Sequence, residues 1–313
     1  MLSRTADHLY WMSRYTERAE NIARLLEVTY RTSLLVPDQP LGYWGAALGI
    51  TGLEEDYRAK FGDIHASQVL RFMSTDLDNP SSILSCLRAA RENCHAVRGT
   101  VTSEVWETIN TTWLEAREAT GGLAQGSVQG SELTQYFEWV KFRSHLSRGV
   151  TVGTMLQDEA FNFIRLGTFL ERADNTARLL DVKFDELAPQ HDPGSEYYEW
   201  GALLRSVSAF EIYRKVYSDV ITPTRVAELL ILREDMPRSL HACIKEVRQI
   251  LDLLANERSR ETLRRAGQMY SRLRYGRMED IAAQGLHDYL TRFLQDTHDM
   301  GGLIAQDFLV PMA

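Results

Sequence analysis

Glu17, Asn21 and Arg24 stand at i, i+4 and i+7. On a helix this spacing puts a carboxylate, a carboxamide and a guanidinium on one narrow line. Arg14 and Glu20 flank the line, and Glu20 precedes Arg24 with the spacing and order of a favourable ion pair. Glu171, Asn175 and Arg178 repeat the set, with Asp174 in place of Glu20. Arg18 and Arg172 directly follow the two glutamates. Such groups can do two things. A carboxylate can orient a guanidinium or receive an amine, and a guanidinium fork can clamp a ligand's carboxylate. Glu17, Arg18, Asn21, Arg24, Glu171, Arg172, Asn175 and Arg178 are therefore the candidate ligand-binding residues. Tyr15, Ala19, Ile22 and Leu26 lie behind the first set as a core stripe, and Phe169, Ala173, Thr176 and Leu180 behind the second.

The repetition extends along the chain. Residues 15–28 and 169–182 are identical at nine of 14 positions, and two more exchange Glu for Asp. Trp44, Glu55 and Tyr57 match Trp200, Glu211 and Tyr213. Asp78, Pro80, Ser82, Cys86 and Arg91 match Asp235, Pro237, Ser239, Cys243 and Arg248. Tyr136, His145 and Gly149 match Tyr289, His298 and Gly302. Matches in order, at a nearly constant offset, point to a duplicated helical unit. Solvated faces tolerate substitution at a cost within about 0.5 kcal/mol. Polar residues that persist between two otherwise diverged copies point instead to a buried or interfacial network. Buried charges demand partners. Pairing of Glu17 with Arg172 or Arg178, and of Glu171 with Arg18 or Arg24, would supply them, so the clusters are expected to organise the two halves.

Other chemistry finds less support. Glu92-Asn93-Cys94-His95 has the Glu-x-x-His spacing of carboxylate di-iron bundles, but the matching positions hold Gln249 and Asp252. No metal site is expected. The paired His145 and His298 read as helix-terminal side chains before acid–base groups. Cys86 and Cys243 read as small buried hydrophobes. The pair Asp158-Glu159 reads as a solvated face. The sequence has no Walker or dinucleotide glycine loop, no Gly-x-Ser-x-Gly and no His-Glu-x-x-His. No cofactor is expected, and any ATP would be bound by a partner. The six tryptophans read as core or interface anchors.

Helices must position these groups. Apolar residues recur at i, i+3, i+4 and i+7 through long stretches, and strand-like alternation is scarce. Pro37 and Pro40 close a long first helix, residues 76–80 form a turn with a helix restart, and residues 121–130 and 188–195 form loops, with Ser195 as an N-cap. The reading is an all-α bundle of about ten helices in two tandem pseudo-symmetric halves, 1–150 and 151–313, fused into one compact unit. The chain is 44% apolar and 25% charged, too apolar for disorder. No apolar run reaches the roughly 18 residues of a membrane helix, and the first residues lack a signal-peptide pattern. Three cysteines speak against a disulfide framework. A cytoplasmic location is expected, without membrane contact. A net charge of −8 argues against an electrostatic nucleic-acid binder. Thirty of the 35 basic residues are arginine, the side chain suited to pairing with carboxylates in a bundle or binding an anionic ligand.

Leu9-Tyr10-Trp11-Met12-Ser13-Arg14-Tyr15-Thr16-Glu17-Arg18-Ala19-Glu20-Asn21 resembles the opening of the bacterial alpha-E domain family, an all-helical family with a Glu-Arg motif. Leu170-Glu171-Arg172-Ala173-Asp174 resembles its second such motif, and Met236-Pro237-Arg238-Ser239 fits its pattern. The likeness covers essentially the whole chain. Ser13-Arg14 and Gly167-Thr168 both depart from the usual Gly-Arg, the latter removing an arginine at 168. The resemblance implies a circularly permuted ATP-grasp protein as partner, with a transglutaminase-like protein as a second. It implies a role as subunit, scaffold or processing partner in an ATP-dependent amide-ligase system that makes or modifies a peptide. The alternative is a self-contained transferase or hydrolase acting on small peptides through the same polar cluster.

Overall fold

The computed structural model describes residues 1–35, 40–124, 130–186 and 193–310. Every regular element among them is helical. The chain divides into two units, Met1–Thr168 and Phe169–Ala313.

The first unit is built on α1 (Ser3–Leu35), followed by α2 (Pro40–Thr51), α3 (Glu54–Phe61), α4 (Ala66–Ser74), α5 (Ile83–Ala96), α6 (Ser103–Ala124) and α7 (Ser131–Thr154). Helix α1 packs against α2, α4, α5 and α7, while α6 packs against α5 and α7. Leu9, Tyr10, Ala19, Ala23 and Leu26 form the buried stripe of α1, facing a core that includes Cys86, Ala90 and Cys94 of α5 and Phe137 and Val140 of α7. Helix α8 (Glu159–Glu186) begins in this unit and ends in the second. Its Gly167 lies so close to α1 that a Cβ there would overlap Ser13 Oγ and Tyr10 O.

The second unit contains the rest of α8, then α9 (Pro193–Ser206), α10 (Phe210–Tyr217), α11 (Pro223–Ile231), α12 (Leu240–Leu254), α13 (Arg260–Arg274), α14 (Met278–Gln284) and α15 (Leu286–Ile304). A π turn, Ala305–Leu309, continues α15. Here α13 packs against α12 and α15, and α11 against α9, α10, α12 and α14. Leu240, Cys243, Val247, Leu251, Met269 and Leu273 are among its buried residues.

Fifteen α-helices are described, against the ten or so expected. The surplus comes from short helices separated by one to a few residues, where apolar periodicity runs on across the break. Gly62, with φ of +75°, ends α3 by donating its N–H to Arg58 O. Gly285, with φ of +94°, separates α14 from α15. Left-handed backbone terminates a helix whatever the hydropathy around it. Three boundaries also move. Pro40 opens α2 instead of closing α1, which suits a residue with no N–H to offer. Gly121 and Gly122 lie inside α6. Helix α9 begins at Pro193, so Ser195 is not its N-cap. Pro37 and residues 188–192 lie outside the described residues.

Several contacts recur within each unit. Ser82 caps α5 by accepting the Ser85 N–H at 3.1 Å, and Ser239 caps α12 by accepting the Ala242 N–H at 2.9 Å. Tyr57 Oη donates to Asp63 O and accepts from the His65 N–H, at 3.2 and 3.1 Å. Tyr213 Oη donates to Val220 O and accepts from the Thr222 N–H, at 2.9 and 3.1 Å. Trp44 and Trp200 are both fully buried.

Candidate functional site in the first unit

The polar line of α1 faces α7. Glu17 and Glu20 are 1% and 0% exposed, and Asn21, Arg24 and Glu27 are buried with them. A carboxylate cannot be removed from water without compensation, and α7 provides it. Arg148 Nη1 lies 2.8 Å from Glu17 Oε2 and 2.6 Å from Glu20 Oε2, so one guanidinium bridges both acids. Ser144 donates its hydroxyl to Glu20 Oε2 at 2.7 Å. Arg24 closes on Glu20 Oε1 through Nε and Nη2, at 2.8 and 2.7 Å. Lower on the same face, Glu27 meets Lys141 at 2.5 Å and Arg31 at 2.7 Å.

The pattern is two complementary stripes. Glu17, Glu20, Arg24 and Glu27 stand at i, i+3, i+7 and i+10 of α1. Lys141, Ser144 and Arg148 stand at i, i+3 and i+7 of α7. The partners run in opposite order, Glu27 to Lys141 and Glu17 to Arg148, as two antiparallel helices require.

His145 forms the wetter edge, with its side chain 55% exposed. Its Nδ1 lies 3.0 Å from Arg148 Nη2 and its Nε2 3.1 Å from Arg24 Nη2. A guanidinium offers only donors, and a neutral imidazole has one lone pair in its ring plane. One of these contacts is therefore a hydrogen bond accepted by the ring, and the other a close approach to its N–H side. The imidazole is held as an acceptor beside a buried carboxylate, with Glu20 Oε1 3.9 Å away.

Arg148 is one arginine that meets Glu17, and the sequence reading did not single it out. The available signal was the basic and hydroxyl spacing on α7, visible once α1 is read as an acidic stripe. Arg18, the second residue of the first Glu-Arg pair, is half-buried, with its guanidinium carbon 5.6 Å from the Tyr15 ring centre. Arg172 of the second pair takes the same posture over Phe169 at 5.4 Å. Cation–π contact with the aromatic three residues earlier is therefore local to each helix.

The second set is placed differently. Glu171 and Arg172 are buried, Asn175 is half-buried and Arg178 is exposed. Arg178 pairs with Asp174 one turn away, at 2.8 Å. At the offset that relates His145 to His298, Arg148 corresponds to Gly301 and Ser144 to Thr297. Thr297 donates to Phe293 O within α15, and His298 is exposed. Helix α15 therefore carries no counterpart of the Arg148 bridge.

The remaining candidates are structural. Cys86, Cys94 and Cys243 are free and buried. Burial pushes the Cys94 thiol up to about 12, far from a reactive thiolate. His95 packs on Trp106, with ring centres 5.5 Å apart. Among the described residues no three His, Cys, Asp or Glu side chains gather where they could hold a metal ion. No helix there is long and apolar enough to cross a membrane.

The sequence profile of Alpha-E, described as a predicted alpha-helical domain with a conserved ER motif, matches residues 1–309. The chain belongs to that family. Glu17-Arg18 and Glu171-Arg172 are two of the three Glu-Arg pairs in the chain, the third being Glu257-Arg258. Uncharacterized proteins of Mycobacterium bovis and Mycobacterium tuberculosis are each 26% identical over 314 residues, covering 94% of this chain and 35% of their own length. The chain thus spans about a third of these curated relatives. No solved structure matches it.

Proposed function

We propose that the chain is a helical subunit of an ATP-grasp amide-ligase system that makes or modifies a peptide in the cytoplasm. Its partner is a circularly permuted ATP-grasp protein, with a transglutaminase-like protein as a second candidate. The Glu/Arg/Asn clusters organise two duplicated repeats, 1–150 and 151–313, and the rim of the first cluster takes a carboxylate-bearing ligand. The observation that carries this reading is the bridge of Arg148 between Glu17 and Glu20 at 2.8 and 2.6 Å, beside a half-exposed His145. Two buried acids hold the guanidinium in place, which leaves its outer edge preset for an incoming carboxylate. The recurring caps, tyrosine contacts and buried tryptophans favour the duplication. Membership of a longer chain, as in the mycobacterial relatives, fits a module that works beside another domain.

Purified ATP-grasp partner, assayed for ATP-dependent amide formation with and without this chain, tests the proposal. Co-purification and an activity that needs the chain are expected. Undiminished ligase activity without it overturns the proposal.

The alternative, a self-contained transferase or hydrolase for small peptides, is favoured by one feature: the accepting imidazole of His145 at the edge of the buried carboxylates. It requires turnover by the isolated chain that His145→Ala abolishes without loss of fold.

A further inference from the structure

The second unit carries a feature that neither the Glu-Arg motif nor the ligase reading uses. Arg258, Arg260, Arg264, Arg265, Arg272, Arg274 and Arg277 fall within 20 residues of a chain whose net charge is −8. Helix α13 gathers four of them at an open groove of about 1120 Å³, joined by Arg248 from α12 and Arg292 from α15. Among the described residues that line it, Asp296 is the one acid, set against six guanidinium groups.

The arginines are presented, not buried. The side chains of Arg248, Arg264, Arg265, Arg272 and Arg274 are 42–54% exposed. Acids behind or beside them hold their forks. Arg264 takes Glu261 with two hydrogen bonds, 2.7 and 2.6 Å, and keeps that carboxyl at about 2. Arg272 is held by Asp296 at 2.8 Å. Arg292 has no carboxylate partner among the described residues. Arg248 and Arg274 flank the Tyr270 ring, with guanidinium carbons 5.2 and 5.9 Å from its centre.

Spacing selects the ligand. Arg264 and Arg272 are eight residues apart, roughly 12 Å along the helix axis. A single small anion cannot span that length. An extended peptide places alternate side chains on one side about every 7 Å, so two or three of its carboxylates match the row. Guanidinium forks suit carboxylates, as the two-point grip on Glu261 illustrates. Single strands bind through aromatic stacking as well as charge, and both tyrosines of the groove, Tyr270 and the exposed Tyr275, have an arginine beside the ring.

We propose that the groove of α12, α13 and α15 is a docking site for an extended acidic peptide segment. It shares no residue with the α1–α7 cluster and does not depend on a ligase partner. The test is fluorescence polarisation of a labelled ten-residue oligoglutamate with the full chain, at low and moderate salt. Saturable binding is expected, weakening as salt rises. Arg292→Gln, at an exposed position with no ion pair among the described residues, is expected to weaken it severalfold, and Arg248→Ala with Arg292→Gln at least tenfold, both with unchanged circular dichroism. Arg58→Gln, at an exposed arginine of α3 outside both sites, is expected to bind as the parent does. Absence of oligoglutamate binding, binding unaffected by the double change, or equal or tighter binding of a ten-residue oligothymidylate overturns the proposal.

Discussion

At the scale of the residue, Glu20 is a carboxylate held entirely by its neighbours. It is 0% exposed and ringed by Arg24, Arg148 and Ser144. Removing one partner of a buried ionic set strands the other charges, at a cost of about 3–5 kcal/mol. Glu20→Gln is therefore expected to lower unfolding stability by that order in a urea titration. The matching position 154 residues later is Asp174, whose partner Arg178 is exposed, and Asp174→Asn is expected to cost less than about 1 kcal/mol. Equal losses at the two sites would contradict the geometry. A second contrast involves Tyr136, whose hydroxyl is buried without a hydrogen-bond partner among the described residues. Tyr136→Phe removes an unsatisfied group and is expected to be neutral or stabilising in the same titration. The acids of the first cluster were legible in the sequence, because the same types recur 154 residues later. Arg148 was not, because the position 153 residues later is Gly301 and a sequence repeat marks only residues present at both places.

Helices show where local pattern ends and packing begins. The close approach of α8 to α1 at Gly167 leaves no room for a methyl group beside Ser13 Oγ and Tyr10 O. Gly167→Ala offers better helix propensity yet must push α8 away from α1, and overpacking costs about 1–3 kcal/mol. A drop in Tm is expected by calorimetry, and a rise would show that the crossing is looser than described. Helical character was readable from the 3.6-residue periodicity almost throughout. The number of helices was not, because Gly62 and Gly285 break the chain through backbone conformation while the apolar pattern runs on. Pro40 shows the same limit: proline marks a boundary in sequence but not which side of it the helix lies on.

On the scale of the whole molecule, composition and structure meet in the arginines. The excess of arginine over lysine suggested carboxylate pairing or an anionic ligand; the buried Arg24–Glu20 pair is an instance of the first, and the open groove around α13 is the place proposed for the second. Net charge alone could not separate them, since −8 averages an acid-rich chain with one basic face. The division after Thr168 has a spectroscopic consequence. Trp11, Trp44, Trp106, Trp113 and Trp139 all precede it, and Trp200 alone follows. Because the Trp200 indole is 1% exposed, its emission is shifted to the blue and reddens when its surroundings open to water. The difference in fluorescence between the parent protein and Trp200→Phe is thus an intrinsic optical gauge for the second unit, readable during melting without any added dye.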